Sequence, residues 1–421
     1  MHDFKYKNSE LFCEAVRVGD IAKKVATPFY LYSYNTLLGH FHKLRKAFGS
    51  LKPLICYSMK ANSNLSICRA LTKAGSGLDI VSGGELYKAL LVGCSPKKIV
   101  YASVGKTEEE IRQAIAKQIL FFNVESYPEL ELINKVAKDL NVAASVALRI
   151  NPDVEPKTHS YITTGKLTNK FGIDFDTAYT ILTHRKKMRH INFNGLHMHI
   201  GSQIIDAQPY IQAVKKLLGF IQKLRKEAIP IEYLNIGGGL GIIYNNEKPQ
   251  TADEFAKKIV PLLKNTGLKI ILEPGRFIVG NAGIVVTKIL YVKKTPLKNF
   301  VIVDAGMNDL IRPSLYGAYH DILPLRPSTI DHRLSTKYDV VGPICESGDF
   351  FAKDRILPKV NEGDFLAIMS TGAYGFSMAS NYNCRLRPAE VMIRGNKSFV
   401  VRKRDSYLDL VRKDVIPEFL K

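Results

Sequence analysis

The segment that decides the fold reads Tyr-Leu-Asn-Ile-Gly-Gly-Gly-Leu-Gly, residues 233–241. In it, a short apolar strand, Tyr233–Ile236, runs directly into three consecutive glycines. Seven other short strands lie elsewhere in the first two thirds of the chain, and stretches with helical periodicity separate them. Strands that alternate with helices favour a parallel sheet, and eight such units over about 230 residues fit a closed (β/α)8 barrel of the TIM type.

The eight predicted barrel strands share a short apolar run that ends in polar residues or glycine. In chain order they are Leu54–Ser58, Leu78–Ile80, Ile99–Tyr101, Ile119–Asn123, Ala144–Ile150, Phe193–Ile200, Tyr233–Ile236 and Lys269–Leu272. We expect the barrel to occupy residues 35–278. Catalytic groups of such barrels lie at the carboxyl ends of the strands, so the residues that follow each strand are the first candidates for a site.

The pattern changes after residue 280, where strand-like segments follow one another with few helices between them. These segments are Gly283–Lys293, Asn299–Asp304, Lys337–Gly342, Asp364–Ser370 and Pro388–Arg402. We expect a second, mostly antiparallel β domain that combines residues 1–34 with residues 279–421. The predicted fold class is therefore α/β, with a barrel and a β-rich domain.

Composition excludes several classes of protein. No apolar run of the 421 residues approaches the roughly 20 that a membrane helix needs, and the first residues lack the apolar segment of a secretory signal. Six dispersed cysteines without a CxxC pair favour free thiols in the cytoplasm over disulfides or zinc. The net charge of +21 could indicate nucleic-acid binding, but the basic residues are dispersed, so we favour a positively charged surface.

Two glycine-containing loops predict an anion site. Gly237–Gly239 follow the seventh predicted strand, and Gly275 with Arg276 follows the eighth. Barrels of this type often bind phosphate with these two loops. Glycines let backbone N–H groups approach an anion closely, and the guanidinium adds positive charge. For the glycine run taken alone, a tight turn is the alternative.

Lys60 and Asp79 lie at the ends of the first two strands. A partly buried lysine can lose its proton and attack an aldehyde, and Asp79 could lie beside it. The alternatives are an ordinary exposed lysine, and for Asp79 a helix N-cap or a turn at the end of the strand.

Two histidines and a glutamate complete the set of strand-end candidates. His197 and His199 would point the same way if both lay on strand six. No third ligand has suitable spacing, so we expect no metal, and an imidazole stacked on an aromatic cofactor ring is the better use. Glu273 could hold a pyridine nitrogen in its protonated form, with an ion pair to Arg276 as the alternative.

Taken together, these segments resemble the fold type III pyridoxal-phosphate-dependent decarboxylases of alanine racemase-like architecture, in particular those that act on diaminopimelate. The resemblance spans nearly the whole chain in the family's order. The matching segments are Tyr57–Asn62, Asp79–Leu86, His197–Gln203, Gly237–Gly241, Glu273–Arg276, Asp304–Tyr319, Gly342–Asp349 and Gly372–Tyr374.

The resemblance implies pyridoxal 5'-phosphate as the cofactor, carried by Lys60 as a Schiff base. The cofactor-binding residues that it implies are Lys60, Asp79, His199, Ser202, Gly238, Gly239, Glu273, Gly275, Arg276 and Tyr374. The substrate-binding residues that it implies are Arg276, Arg312, Tyr316, Glu346 and Tyr374. The catalytic residues that it implies are Lys60, His199 and Cys345, of which Cys345 would protonate the substrate carbon after carbon dioxide leaves.

The implied reaction converts meso-2,6-diaminopimelate into L-lysine and carbon dioxide, the last step of lysine biosynthesis. Arg312 offers a planar fork that suits the distal carboxylate of this substrate, unless it is an ordinary interface ion pair. Cys345 and Glu346 would come from the partner subunit, which implies a homodimer with shared active sites.

Other activities remain as alternatives. A decarboxylase of ornithine, arginine, lysine or carboxynorspermidine would share the fold, although ornithine and lysine lack the distal carboxylate that Arg312 suits. A racemase is disfavoured by Glu273, since racemases place arginine at the pyridine nitrogen. A non-catalytic cofactor-binding protein is disfavoured by the long segment after the barrel. RNA binding is a separate hypothesis.

Overall fold

The computed structural model describes residues 2–155, 170–327 and 335–421. These residues form two compact units. The barrel unit contains residues 38–243 and 247–278, and the β-rich unit contains the chain up to residue 37, residues 244–246 and the chain from residue 279 onward. The predicted domain bounds, residues 35–278 for the barrel and residues 1–34 with 279–421 for the β-rich domain, stay a prediction.

The elements before the barrel include a small antiparallel sheet of three strands in the described part of the chain. In chain order these elements are β1 (Phe4–Lys7), β2 (Glu10–Cys13), β3 (Val16–Arg17), α1 (Val18–Val25), β4 (Phe29–Ser33) and α2 (Tyr34–Ala47).

Eight parallel strands within the described residues close into a barrel, which confirms the predicted (β/α)8 fold. The strands are β5 (Leu54–Ser58), β6 (Gly77–Ile80), β7 (Ile99–Tyr101), β8 (Phe121–Val124), β9 (Ala144–Arg149), β10 (Ile191–His197), β11 (Tyr233–Asn235) and β12 (Lys269–Leu272). The helices around them are α3 (Leu65–Lys73), α4 (Gly83–Leu91), α5 (Glu108–Ala116), α6 (Tyr127–Asp139), α7 (Phe175–Thr183), α8 (Gln208–Lys226) and α9 (Ala252–Leu263).

Side-chain caps fix where several barrel helices begin. A side-chain oxygen accepts a hydrogen bond from a backbone N–H of the first turn, which satisfies a group that the helix itself leaves unpaired. The capping residues of α4, α5, α6, α7 and α9 are Ser82, Thr107, Ser126, Asp174 and Thr251. Local sequence therefore sets the length of the loops that leave the carboxyl ends of the strands.

An apolar layer fills the barrel interior. It consists of Cys56, Val100, Phe121, Ala147 and Ile271. Because side chains alternate along a strand, residues two positions further on also point inward, closer to the carboxyl end of the barrel.

The β-rich unit contains a sheet of nine strands among the described residues, most of them antiparallel, which confirms the predicted second architecture. Besides β4, its strands are β13 (Gly283–Lys294), β14 (Asn299–Val303), β15 (Ile322–Pro324), β16 (Ser335–Val341), β17 (Phe350–Pro358), β18 (Phe365–Ile368), β19 (Ala389–Arg394) and β20 (Lys397–Arg402). The short helices of the second half of the chain are α10 (Arg276–Val279), α11 (Arg312–Tyr316) and α12 (Tyr407–Val411).

Most predicted strands have ends that differ by one or two residues from the structure, and two strands differ more. The single strand expected over Pro388–Arg402 is a hairpin of β19 and β20, because Gly395 at φ 61° takes the left-handed conformation that lets the chain reverse. The strand expected over Phe193–Ile200 is β10, which begins and ends earlier. This second shift places His199 beyond the strand.

We expect Gly77→Ala to lower the free energy of unfolding. Gly77 lies inside β6, where an added Cβ would overlap the carbonyl oxygen of Lys98 and lie 2.8 Å from Sγ of Cys56. Overpacking of this kind costs about 1–3 kcal/mol, which urea denaturation would measure. The matched control is Gly39→Ala in α2, where nothing lies within 4 Å of the new Cβ and helix propensity favours alanine. Equal losses in the two variants would contradict the steric explanation.

Candidate active site

A layer of polar side chains lies inside the barrel at the carboxyl ends of the strands. Each residue of this polar layer follows an inward-facing apolar residue or glycine by two positions on its own strand, so it points to the same side. Its members, all buried, are Ser58, Asp79, Asn123, Arg149, His197, Asn235 and Glu273.

Glu273 is the central member of the polar layer. Its Oε1 accepts hydrogen bonds from Nδ2 of Asn123 at 3.0 Å and Nδ2 of Asn235 at 2.5 Å, and its Oε2 lies 3.1 Å from Nε2 of His197. Burial alone would raise the pKa of Glu273, but the charge and hydrogen bond of His197, with the bond from Asn235, lower it below the ordinary value. Glu273 therefore carries a negative charge at neutral pH.

Asp79 is the second buried carboxyl of the polar layer. It accepts a hydrogen bond from the Ser58 hydroxyl, while Ser82 caps the following helix, so the N-cap alternative for Asp79 is wrong. Burial, followed by repulsion from Glu273, raises the pKa of Asp79 well above its ordinary value. Two neighbouring buried carboxyls thus share one negative charge, which lies on Glu273.

Lys60 lies in a single turn of 3-10 helix directly after β5. Its side chain is exposed, so the partial burial considered from the sequence is wrong here, because the residue lies past the end of the strand at the open mouth of the barrel. Its positive charge acts on Asp79 and His199. The Lys60 amine therefore interacts electrostatically with residues of the barrel mouth.

His199 follows the end of β10. The backbone N–H of Gly238 donates a hydrogen bond to its Nδ1 at 3.3 Å. Burial, followed by the positive charges of Lys60 and Arg149, lowers the pKa of His199 well below its ordinary value, so the ring is neutral. The expectation that one strand carries both His197 and His199 is wrong, since β10 ends at His197, and the two rings have different hydrogen-bond partners.

The glycines of the two predicted phosphate loops lie where the backbones of neighbouring loops touch. A Cβ on Gly238 would overlap the carbonyl oxygen of Glu273, and one on Gly239, whose φ is 96°, would overlap that of Gly201. A Cβ on Gly275 would lie 3.1 Å from two side chains at the end of β5. Close packing is thus one reason for glycine here, and it brings the two loops beside the strand that carries the lysine.

Arg276 and Ser202 lie side by side next to these loops. Nη2 of the buried Arg276 donates a hydrogen bond to Oγ of Ser202 at 3.1 Å. A guanidinium and a hydroxyl in one place are donors that suit a phosphate group. The barrel therefore brings together all the predicted cofactor residues that it contains.

Arg312 is buried within the β-rich unit. Its Nη1 donates to the hydroxyl of Tyr244 at 3.0 Å and lies 3.1 Å from Nε2 of His320, and its guanidinium lies 4.9 Å from the centre of the Tyr244 ring. Nδ1 of His320 lies 2.7 Å from the carbonyl oxygen of Met369, so Nε2 is the acceptor and the imidazole is neutral. Within the described ranges, the hydrogen-bond partners of this buried cation are neutral groups, and the ion pair weighed as an alternative is not seen within the chain.

The remaining predicted residues lie in the same β-rich unit. Cys345 and Glu346 are exposed, and Glu346 accepts a hydrogen bond from the Tyr382 hydroxyl. Tyr316 and Tyr374 are half-buried. Tyr374 has a φ of 58°, a left-handed conformation that is rare for a bulky residue and that concentrates at functional sites.

Two buried ion pairs support the polar layer, one beside it and one that includes its own member Arg149. Nζ of Lys106 lies 2.6 Å from Oε1 of Glu129 and donates to the carbonyl oxygen of Asn123 at 2.9 Å. Nη1 of Arg149 lies 2.6 Å from Oε1 of Glu125. The first pair therefore fixes the backbone of a residue that holds Glu273.

The second ion pair contacts the backbone of His199. Nη2 of Arg149 donates to the carbonyl oxygen of His199 at 3.3 Å, and Oε2 of Glu125 accepts the N–H of Gly172 at 3.0 Å. The loop over residues 151–173 also resembles the family's sequence, but its His159 lies outside the described residues. In the described ranges, no group of three or more His, Cys, Asp or Glu side chains is placed to hold a metal ion.

The chain was compared with known families, curated proteins and solved structures. Residues 35–280 match the family model described as pyridoxal-dependent decarboxylase, pyridoxal binding domain. The diaminopimelate decarboxylase of Vibrio cholerae is 48% identical over 99% of this chain and 100% of its own length. This chain belongs to the diaminopimelate decarboxylase family of pyridoxal-dependent decarboxylases.

Solved members of the diaminopimelate decarboxylase family share the fold. The Helicobacter pylori enzyme complexed with L-lysine is 43% identical, with a TM-score of 0.90 over 94% of this chain and 98% of that chain. The M. jannaschii enzyme in complex with L-lysine is 40% identical, with a TM-score of 0.94 over 100% of both chains. These relatives favour diaminopimelate over the other diamino acids weighed above.

The residues of the barrel mouth fit the pyridoxal phosphate that the family model implies. A buried ionised carboxylate suits a protonated ring nitrogen, the Arg276 and Ser202 donors suit a phosphate, and an exposed amine suits an aldehyde. In the described part of the chain, Nδ1 of His197 and Oδ1 of Asp79 are buried without a hydrogen-bond partner. The polar layer therefore has two polar atoms that its internal hydrogen bonds do not use.

The sequence interpretation missed Asn123, Arg149 and Asn235, and considered His197 only as a metal ligand or as an imidazole stacked on a cofactor ring. A signal was present, because each of these polar residues interrupts an apolar strand two positions after a residue that faces the barrel interior. The supporting pairs were not detectable in this way, since Lys106 and Glu129 lie on different elements and meet only in the folded barrel.

We expect Lys106→Met to destabilise the protein strongly. The substitution leaves the buried Glu129 carboxylate without its cation, and the loss of one partner of a buried pair costs about 3–5 kcal/mol. Lys135→Met is the matched control, because its ion pair with Glu108 is exposed and worth at most about 1 kcal/mol. Denaturant unfolding compares the two, and a loss from Lys106→Met no larger than that of the control would contradict the supporting role.

Proposed function

We propose that this chain decarboxylates meso-2,6-diaminopimelate to L-lysine with pyridoxal 5'-phosphate attached at Lys60. The observation that carries this proposal is the ionised Glu273 in the centre of the barrel mouth. A carboxylate at this place keeps a pyridine ring protonated. A protonated ring accepts electrons well, which favours decarboxylation, whereas a racemase uses a weakly polarised ring.

When bound, pyridoxal phosphate supplies a ring that accepts the electron pair left on the α-carbon as carbon dioxide departs. Glu273 holds the proton on the ring nitrogen, because its own pKa is lowered and Asp79 is neutral. The neutral His199 would pack against the ring without adding a second positive charge. Arg276, Ser202 and the N–H groups of Gly239 and Gly275 would hold the phosphate, and Gly238, whose N–H donates to His199, would lie beside it.

The proton that replaces the lost carboxylate comes from a thiol in this proposal. Cys345 gives a proton to the α-carbon, which completes the exchange of carbon dioxide for hydrogen at that atom. Its exposure in the chain supports such a role for Cys345, because an exposed thiol can be reprotonated by water after each turnover. Tyr374 and Tyr316 position cofactor and substrate.

We expect Lys60→Ala to abolish covalent attachment of pyridoxal phosphate. Borohydride reduction of the wild-type holoenzyme should add the mass of one cofactor per chain, and the variant, which lacks the attacking amine, should show no such addition. Lys88→Ala is the control, since Lys88 lies on the nearby α4 and donates to the Ser63 hydroxyl at 2.9 Å. An unchanged adduct on the Lys60 variant, or its loss from the control as well, would contradict the assignment.

Arg312 supports diaminopimelate as the substrate. A buried guanidinium whose hydrogen-bond partners are neutral retains donors for a carboxylate, and diaminopimelate has a second carboxylate that lysine and ornithine lack. Glu346 would take the distal ammonium. The two solved relatives are complexed with L-lysine, the expected product.

We expect Arg312→Ala to lower kcat/KM for diaminopimelate by about 10- to 100-fold, because charge-assisted hydrogen bonds are worth about 1.5–3 kcal/mol. The measurement is carbon dioxide release from diaminopimelate, lysine, ornithine and arginine. Any slow turnover of the last three should change far less. Arg326→Ala, an exposed arginine of the same unit, is the control.

Two outcomes of this panel would contradict the proposal. If ornithine, lysine or arginine were the preferred substrate of the wild-type enzyme, the reaction assigned here would be wrong. If Arg312→Ala reduced turnover of all substrates equally, a clamp for the distal carboxylate would be ruled out.

We also propose that the enzyme is a homodimer in which Cys345 and Glu346 act in the active site of the other subunit. Their exposure in the single chain supports this arrangement. Mixing inactive Lys60→Ala chains with inactive Cys345→Ala chains should restore part of the activity after subunit exchange. In a mixed dimer, one of the two sites then contains both native residues.

The control mixture combines Lys60→Ala with Glu273→Gln chains. Both of these residues belong to the barrel unit, so every site of the mixed dimer remains defective and no activity should return. Recovery in neither mixture, or equal recovery in both, would contradict shared sites.

A cytoplasmic location belongs to the same proposal. All six cysteines are free, and two of them, Cys345 and Cys384, are exposed. Exposed free thiols are typical of a reducing compartment. Among the described residues, no helix combines the length and apolar character needed to cross a bilayer.

A further inference from the structure

A groove lies on the barrel at the end opposite the polar layer. It is formed where β10 and β11 begin and has a volume of about 520 Å³, within the range of small-molecule sites. Its wall includes Ile191, the first residue of β10, whereas His197 of the polar layer is the last. At about 3.3 Å per residue, the two ends of this strand are roughly 20 Å apart. A ligand in the groove would therefore be separate from the active site.

The rim of the groove is positively charged. It belongs to the segment His184–His190, which reads His-Arg-Lys-Lys-Met-Arg-His. Lys186 and Arg189 are exposed on this rim, and in the described ranges neither has an ion-pair partner. Glu232, the acidic residue of the wall, pairs with Lys269 instead. The rim thus carries positive charge that no nearby carboxylate neutralises.

The floor of the groove is apolar. Ile191 and Ile229 are buried there, and Pro230 lies beside them. A flat apolar floor below a cationic rim suits a ligand that has a ring at one end and an anionic group at the other.

One polar atom of the wall lacks a partner. Oδ1 of Asn194 is buried without a hydrogen bond in the described part of the chain. Asn194 is the extra residue of a β-bulge, because Phe193 pairs with Val146 of β9 and Gly195 pairs with the next residue, Ala147. Bulges re-aim side chains and are common beside binding sites. Within the described residues, the amide oxygen is therefore an unsatisfied acceptor of a residue that lines the groove.

We propose that this groove binds a nucleoside phosphate. Lys186 and Arg189 bind the phosphates, the floor at Ile229 and Pro230 carries the base, and an exocyclic amine of the base donates to Oδ1 of Asn194. Inorganic polyphosphate would use the rim alone, and a nucleic acid strand would extend beyond the groove. The proposal does not depend on the decarboxylation, since it concerns the opposite end of the barrel.

The test is equilibrium dialysis of ATP with the pyridoxal-phosphate-loaded enzyme at constant ionic strength. We expect saturable binding that Lys186→Gln combined with Arg189→Gln weakens at least about tenfold, since two charge-assisted contacts are lost. The matched control, Lys397→Gln combined with Lys403→Gln, removes two exposed charges from the β-rich unit and should leave ATP binding unchanged. Decarboxylase activity of each variant shows that the fold is intact.

A third variant distinguishes the contribution of the base to binding from the contribution of the phosphates. Asn194→Leu should weaken binding of ATP and leave binding of tripolyphosphate unchanged. Three outcomes would each overturn the proposal. Tripolyphosphate would bind the wild type as tightly as ATP does, the two double variants would lose ATP affinity equally, or L-lysine would release bound ATP. Displacement of ATP by a single-stranded oligonucleotide with a steeper salt dependence would overturn it in favour of nucleic-acid binding.

Discussion

The site in the barrel depends on keeping one buried carboxylate charged. An unpaired charge inside a protein is costly, and Glu273 avoids that cost because β8, β10 and β11 each supply a hydrogen-bonding side chain. A shift of any one of these strands would leave the charge without part of its support. The contacts that prepare the chemistry therefore depend on the register of the barrel strands.

The sequence was sufficient for the barrel and for the residues that directly follow its strands. Lys60, Asp79 and Glu273 were identified as candidates from their positions, because strand ends are visible as breaks in apolar runs, whereas their roles came from the resemblance. His199 was placed on a strand because His197-Met198-His199-Ile200 continues the alternation of a strand, although β10 stops at His197. Alternation records which side chains are buried, and buried loops produce it as well as strands do.

Contacts across the barrel could not be predicted from local pattern. The bond between Asn123 and Glu273 joins residues 150 positions apart and depends on closure of the sheet. In the β-rich unit, the roles of Cys345, Glu346 and Tyr316 came from resemblance alone, since two of these residues are exposed and none stands out by its local chemistry. These roles remain proposals, whereas the neutral surroundings of Arg312 are a structural reason for its role.

Closure of the barrel has a consequence for the order of events during synthesis. The first and last strands of the barrel, β5 and β12, pair with each other, and Glu273 directly follows the last one. A nascent chain that has not yet emerged from the ribosome beyond this point lacks both the closing strand and the charged centre of the site. The complete barrel mouth, with its charged centre, therefore exists only after the last barrel strand has been translated.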